Sequence, residues 1–558
     1  MITRRKFIRS SALAGAALGL GFSNPLRLQA KVKGAASFDL LLKNGLIYSG
    51  DGRMPISGDL GIKDGKIAAL GNLGDTANQI VDLSGLAVSP GFIDIHSHTD
   101  TNLLRCSPGD SKLFQGITTD VGGTCGSSPF PYSDVAYERQ KDQLRYGYPY
   151  WQHIDGFYDA LEKNKIGINY ASFTGQGQLR SIVVGSNAVE ATPDQIEKMK
   201  TILEKQLEMG SIGMSSGLEY TPGSYASNDE LVALCKVVAK HNGLFAIHMR
   251  NEGDFVEESV KETLDIARRS GVRLQISHLK AANPANWHKL PAILRTIDKA
   301  IASGVDVAFD RYPYIAYATG LSIFIPVVDR QGSTAETVAR LKDPHKGEEI
   351  ATVVASKIIA LGGPQNIVIT SCSHADNKKY VGLNLQESAF MARMDFKEFA
   401  RQILITDNMG VRMIAFAMSE ENLKLLYAHR LSMPGCDGSV ISPQGPLSTG
   451  KPHPRSYGTF PRFLGTYCRE QKIMDLQTAV YKMTALPASR LRLKDRGLLI
   501  PGYRADVVAF DPATVCELST FTHPHQFNKG IEHIFVNGVW TLKNGHYTGA
   551  LSGSVIRG

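Results

Sequence analysis

Ser89-Pro90-Gly91-Phe92-Ile93-Asp94-Ile95-His96-Ser97-His98-Thr99-Asp100 decides how the chain is read. Phe92, Ile93 and Ile95 form a short apolar run behind a Pro-Gly break, and two histidines one residue apart close it. In extended chain, residues i and i+2 point to the same face. His96 and His98 can therefore reach one point from a rigid base, which suits two imidazole nitrogens on one metal ion. A bare His-x-His is often two surface histidines at a strand end. The apolar run before the pair and Asp100 after it favour the metal reading.

Downstream, strands and helices alternate. Helices are expected over 191–209, 228–241 (with Asn228 as cap), 254–270 and 287–302, and strands over 212–215, 244–248, 272–278 and 305–310. Short buried strands alternating with helices predict a parallel (β/α)8 TIM-like barrel whose chemistry sits at the C-terminal ends of the strands. Two of those ends carry histidine: His248 in Ala246-Ile247-His248-Met249-Arg250-Asn251-Glu252, and His278 in Gln275-Ile276-Ser277-His278-Leu279-Lys280. Either alone could be a capping or core histidine. Two consecutive ones, downstream of His-x-His, form a set.

Pro90-Gly91-Phe92-Ile93-Asp94-x-His96-x-His98 resembles the opening of the amidohydrolase superfamily barrel, whose first strand ends in two metal-binding histidines. Many members bridge two metals with a carboxylated lysine ending the fourth strand, but Ser211 to Ser216 contains no lysine. Cys125, in the Gly-rich loop Gly122-Gly123-Thr124-Cys125-Gly126 after Ile117–Val121, stands in as the bridging anion, since a bound thiolate is deprotonated and a good zinc ligand. Together with His-Met-Arg-Asn-Glu, Ser-His-Leu-Lys and Gly217-Leu218-Glu219-Tyr220-Thr221-Pro222-Gly223, this narrows the resemblance to the D-aminoacylases, or N-acyl-D-amino-acid deacylases. It runs from about Phe38 to the C-terminus.

The resemblance implies the remaining site. Asp437, in Met433-Pro434-Gly435-Cys436-Asp437-Gly438, matches the family's metal-binding aspartate and proton shuttle, with Cys436 in place of the usual serine. His453-Pro454-Arg455 to Arg462 matches its H-P-R-x-x-G-T-F-P-R, which makes Arg455 the candidate to grip an α-carboxylate. Lys280 and Tyr220 are candidate helpers, and Tyr312 is a further one. One or two zinc ions are implied. Cys125, His248 and His278 would form a tight site, and His96, His98 and Asp437, sharing Cys125, a second. The implied reaction frees a D-amino acid from an N-acyl-D-amino acid, with Asp437 as general base and acid. A metallo-dipeptidase acting on peptides with a D-residue, and a hydantoinase-like cyclic-amide hydrolase, are the alternatives. The absent lysine counts against the latter. A metal- or solute-binding protein with a dead barrel would need the reactive set to be idle.

Both chain ends read as β. Residues 38–90 alternate short strands with Asn44-Gly45, Asp64-Gly65 and Ser84-Gly85 turns, suggesting a small antiparallel sheet. Ala505-Asp506-Val507-Val508 and the Asn537-Gly538 hairpin repeat the style. The expected organisation is a composite β-sandwich from 31–90 and 490–558 around a barrel over 91–489. An insertion at about 325–415 breaks the barrel rhythm and can lie over the pocket.

With 558 residues, the chain needs more than one core. Hydrophobic content of 43% and charged content of 20% are those of an ordinary globular protein. The net charge of +8 is scattered, which argues against nucleic-acid binding. Seven cysteines with no Cys-x-x-Cys pair argue against a disulfide framework. Thr3-Arg4-Arg5-Lys6-Phe7-Ile8-Arg9, an apolar stretch from Ala12 to Phe22 and Leu28-Gln29-Ala30 resemble a twin-arginine signal peptide over 1–30. Export through that machinery to the periplasm or medium, already folded and metal-loaded, is the expectation.

Overall fold

The computed structural model of the protein describes residues 38–558; the signal-like segment 1–30 lies outside the described residues. Eight parallel strands ring a common centre: β1 Phe92–Asp94, β2 Ile117–Gly122, β3 Asn169–Ser172, β4 Gly213–Gly217, β5 Leu244–His248, β6 Arg273–Ile276, β7 Val307–Arg311 and β8 Ser432–Pro434. β1, β2 and β3 pair in order, as do β4 to β8. Two seams close the ring. Asp437 N–H donates to the His96 carbonyl at 2.8 Å and His98 N–H to the Gly438 carbonyl at 3.1 Å; across the other seam Ile212 N–H donates to the Ser172 carbonyl at 3.1 Å.

The period-2 pattern sorts each strand's residues. Leu244 and Ala246 point inwards with Ile93, Val121, Ala171, Ala308 and Met433, whereas Phe245 and Ile247 face the outer helices with Leu274, Ile276 and Phe309. Counting up β5 by twos from Leu244 reaches His248 at the rim.

Local signals explain most helix ends. Thr192 and Gln195 form a reciprocal capping box at Pro193–Glu208. At Asn228–Lys240 the cap is Ser227, which accepts from Glu230 N–H, and not Asn228, which is already helical. The next helix is Val256–Ser270, stopped by left-handed Gly271. The one after it, Leu290–Ala302, follows a 3-10 turn over Pro284–Lys289.

The two chain ends share one nine-stranded sheet. Two expectations are corrected there. Asn44-Gly45 does not turn the chain: Phe38–Ile47 is one strand with an irregularity at that point, where Asn44 takes a positive φ of 60° and its N–H reaches Asp59 Oδ1 at 3.0 Å. The sheet is also mixed, because Ala77–Asp82 and Ala87–Pro90 both run parallel to Phe38–Ile47. Asn537-Gly538 does join an antiparallel pair, Ile531–Val536 with Val539–Lys543.

Between β7 and β8 a separate unit interrupts the barrel. Its strands Ala316–Gly320, Ile367–Ser371 and Arg412–Phe416 form an antiparallel sheet flanked by helices Thr334–Lys342, Lys346–Ala360, Leu385–Ala392 and Phe396–Thr406, with an apolar core of its own. Leu385 begins a helix because Asn384 and Glu387 form a capping box. Among the described residues no helix is long and apolar enough to cross a membrane.

Candidate metal centre and active site

At the C-terminal rim of the barrel a cavity of about 930 Å3 opens beneath the inserted unit. Its floor carries the side chains singled out in the sequence. Cys125 Sγ lies 3.4 Å from His96 Nε2, 3.6 Å from His278 Nε2 and 3.9 Å from His248 Nδ1. His98 Nε2 and His96 Nε2 stand 3.0 and 3.4 Å from Asp437 Oδ1. Two overlapping groups can hold a cation: His96, Cys125, His278 and Asp437; and His248, Glu252 and His278.

The donor set fits zinc. Nitrogen and sulfur ligands about 2.1 and 2.3 Å from a tetrahedral ion stand roughly 3.6 Å apart, and the Cys125–histidine separations bracket that value. The unused imidazole nitrogens agree. His96 Nδ1 sits 2.9 Å from Asp310 Oδ1, and His248 Nε2 is 3.3 Å from Glu219 Oε2. A carboxylate on one nitrogen holds the proton there and leaves the other nitrogen's lone pair free. The free atoms are then Nε2 of His96 and Nδ1 of His248, which face Cys125 together with His278 Nε2.

Electrostatics keep the anions ionised. Burial would raise the Cys125 thiol, but the charge of His96 and hydrogen bonds from His248, His278 and His96 hold it well below the usual thiol range. Burial would likewise raise Asp437, and Arg455, His96 and His278 outweigh it and hold its carboxyl well below the usual range.

The backbone contributes strain. Cys125, His278 and Asp437 all have positive φ, at 51°, 36° and 48°. The Cys125 loop presses onto β4: Gly126 N–H donates to Ser215 Oγ at 3.0 Å, and a Cβ on Gly217 would meet the Cys125 carbonyl oxygen at 2.2 Å. The rim of β4, where many relatives in the superfamily place a lysine, is here occupied by this loop.

Arg455 is at the site, but its fork is partly engaged: Nη1 donates to Asp437 Oδ2 at 2.7 Å and Nη2 to the Ala318 carbonyl at 3.3 Å. Three of its five N–H donors remain. Lys280 is buried, hydrogen-bonded to Glu252 and 2.8 Å from His278 Nδ1. Tyr220 lies edge-on to His248, its hydroxyl 3.3 Å from Thr319 Oγ1. Tyr312 packs under the Arg455 guanidinium, which sits 4.7 Å from its ring centre. Tyr312 Oη is buried without a partner.

Sequence reading missed the supporting carboxylates Asp310, Glu252 and Glu219. It also missed Lys112, fully buried, which donates to Asp94 Oδ2 at 2.6 Å and to the Gly438 carbonyl at 3.0 Å. Asp94 Oδ1 accepts from Cys436 N–H at 2.9 Å, so this pair ties the β1 end to the Asp437 turn. The available signal for Asp310 was its inward position on β7, two residues after Ala308.

The model described as Amidohydrolase family matches residues 79–343 and 440–541. The chain is 34% identical over 524 residues to a D-aminoacylase of Alcaligenes xylosoxydans xylosoxydans, covering 93% of this chain and 97% of that one. The chain belongs to the N-acyl-D-amino-acid deacylase family of amidohydrolases. It is also 35% identical over 501 residues to an N-acyl-D-glutamate deacylase of the same organism, covering 90% and 93%. Its fold matches the N-acyl-D-glutamate deacylase of Bordetella bronchiseptica, solved with zinc and a phosphonate mimic of the tetrahedral intermediate. The TM-score is 0.78 at 32% identity, over 94% of this chain and all of that one.

Proposed function

We propose that the protein is a zinc-dependent hydrolase that cleaves N-acyl-D-amino acids to a carboxylate and a free D-amino acid. The observation that carries this reading is the Cys125 thiolate within 3.9 Å of three histidine nitrogens beside Asp437, on a rim whose fourth strand offers no lysine. The deacylase relatives, and the zinc and phosphonate bound by one of them, support the same chemistry.

Cys125, His248 and His278 would hold one zinc, and His96, His98 and Asp437, sharing Cys125, a second. When bound, zinc acidifies a water and polarises the scissile carbonyl. Asp437, ionised and fixed by Arg455, takes the proton of the attacking water at Oδ1 and delivers it to the departing amine nitrogen. The Tyr220 hydroxyl donates to the oxygen that gains charge. The free donors of Arg455, with Lys280, hold the substrate α-carboxylate. The composite sheet from 38–90 and 490–558 acts as a scaffold and the 325–415 insertion as the roof. The arginine pair and apolar stretch within residues 1–30 support export by the twin-arginine route.

Amine release from matched N-acetyl-D- and N-acetyl-L-amino acids by the zinc-loaded protein tests the reading. Release from D substrates alone is the expected result. Turnover of dipeptides or cyclic amides in their place would overturn it.

A further inference from the structure

The cations around the cavity fall into two sets. Those on the floor are paired: Arg455 with Asp437 and Lys280 with Glu252. Those hung from the inserted unit are not. Arg330, ending the 3-10 turn Val327–Arg330, and Lys357, on helix Lys346–Ala360, both line the cavity. Among the described residues neither has an ion-pair partner, and Arg330 Nε is buried with no hydrogen bond. The carboxylate beside Arg330 in sequence, Asp329, is taken by Lys346 at 3.0 Å. The remaining acid within their field is Glu219, already turned to His248.

Burial lowers both Arg330 and Lys357, and the Arg330 charge lowers Lys357 further. Two partly desolvated cations that share a single acid, Glu219, itself turned to His248, are costly unless a ligand supplies a further negative charge. An arginine stays charged throughout and presents a fork matched to a carboxylate. The α-carboxylate is already accounted for on the floor, and the cavity is roomy for a simple N-acetyl amino acid.

We propose that Arg330 and Lys357 form a second anion subsite, which selects substrates carrying a carboxylate besides the α-carboxylate. That group is either the side chain of an acidic D-amino acid or the far end of a dicarboxylic acyl group. The inference rests on the deacylase reading above and assigns its substrate class.

The test compares kcat/KM of the zinc-loaded enzyme for N-acetyl-D-glutamate, its neutral isostere N-acetyl-D-glutamine, N-succinyl-D-leucine and N-acetyl-D-leucine. One dicarboxylate is expected to exceed its neutral counterpart by at least about tenfold, the factor one modest charge-assisted contact supplies. Preference within the glutamate pair places the charge on the side chain; preference within the leucine pair places it on the acyl group. In Arg330→Gln and, separately, Lys357→Gln, that preference is expected to fall to within about threefold of unity, chiefly through KM. Equal turnover of charged and neutral substrates by the wild type would overturn the proposal and leave the deacylase reading standing. Turnover of none of the four would overturn that reading, and the proposal with it.

Discussion

Asp310→Asn isolates how the barrel holds its metal. Asp310 lies on the inner face of β7 and supports two ligands at once. Oδ1 accepts from His96 Nδ1–H and from His278 N–H, each at 2.9 Å, and Oδ2 accepts from Gln275 Nε2 at 3.0 Å. Asparagine keeps the shape. Its oxygen can hold the first two donors, and its amide can meet Gln275 if that side chain turns over, since Gln275 Oε1 is buried without a partner. What disappears is the charge. A charged acceptor makes a bond about twice as strong as a neutral one, and losing a carboxylate behind a metal-bound histidine costs about 10–100-fold in metal affinity or activity, or roughly 1.4–2.7 kcal/mol. The variant should fold with near-normal thermal stability, lose zinc to a competing chelator about 10–100-fold more readily, and lose kcat/KM in step unless zinc is in excess. Asp310→Ala should do worse, because it strands three buried donors at about 1–3 kcal/mol each. Zinc retention in Asp310→Asn equal to wild type would refute the assignment of His96 and His278 as metal ligands through Nε2.

Three further outcomes follow from the same geometry. Gly217→Ala should displace the Cys125 loop, because the new methyl would sit 2.2 Å from the Cys125 carbonyl; zinc content and activity should fall, with about 1–3 kcal/mol of stability lost by overpacking, all read by metal analysis and denaturant titration. Lys112→Met leaves Asp94 buried without its cation and removes one of the two donors to the Gly438 carbonyl, so kcat should fall and the protein should unfold earlier, at a cost of about 3–5 kcal/mol for a broken buried pair. Burial, with a smaller push from Lys543, lowers His533 from its ordinary 6.5 to about 4, and its Nδ1 accepts from Asn544 N–H, which requires the neutral ring. Between those values the unfolded chain binds the extra proton, so the stability this histidine contributes is present above 6.5 and lost as pH falls towards 4. His533→Gln should flatten that part of the stability–pH curve while leaving turnover at neutral pH intact.

The legible part of the site is the part governed by strand period. His248 and His278 sit where a short apolar strand runs out, and His96 and His98 follow one directly, so a period-2 reading finds all four. Cys125 and Asp437 occupy tight loops with positive φ, where periodicity gives no direction; family resemblance alone singled them out. The supporting carboxylates were hidden for a different reason. Asp310 reads as one more residue of Val307–Arg311, while Glu219 and Glu252 sit in polar loops where charges are usually solvated. Lys112, in Asp-Ser-Lys-Leu, reads as the exposed face of a helix; its burial comes from contacts with β1 and the Asp437 turn, more than 300 residues apart in the case of Gly438. Asn44-Gly45 shows the opposite failure. A strong turn dipeptide was absorbed as a bulge because strand partners lie on both sides of it. Likewise, three strands of the inserted unit were not foreseen as one sheet, since their pairing is non-local.

The central claim is that a thiolate takes the place of the missing lysine at the metal centre. Zinc-edge X-ray absorption on protein carrying one zinc per chain tests it most directly, beside Cys125→Ala. The account predicts one sulfur at about 2.3 Å with nitrogen ligands at about 2.0–2.1 Å in the wild type, and no sulfur in the variant. A zinc shell of nitrogen and oxygen alone in the wild type would contradict it.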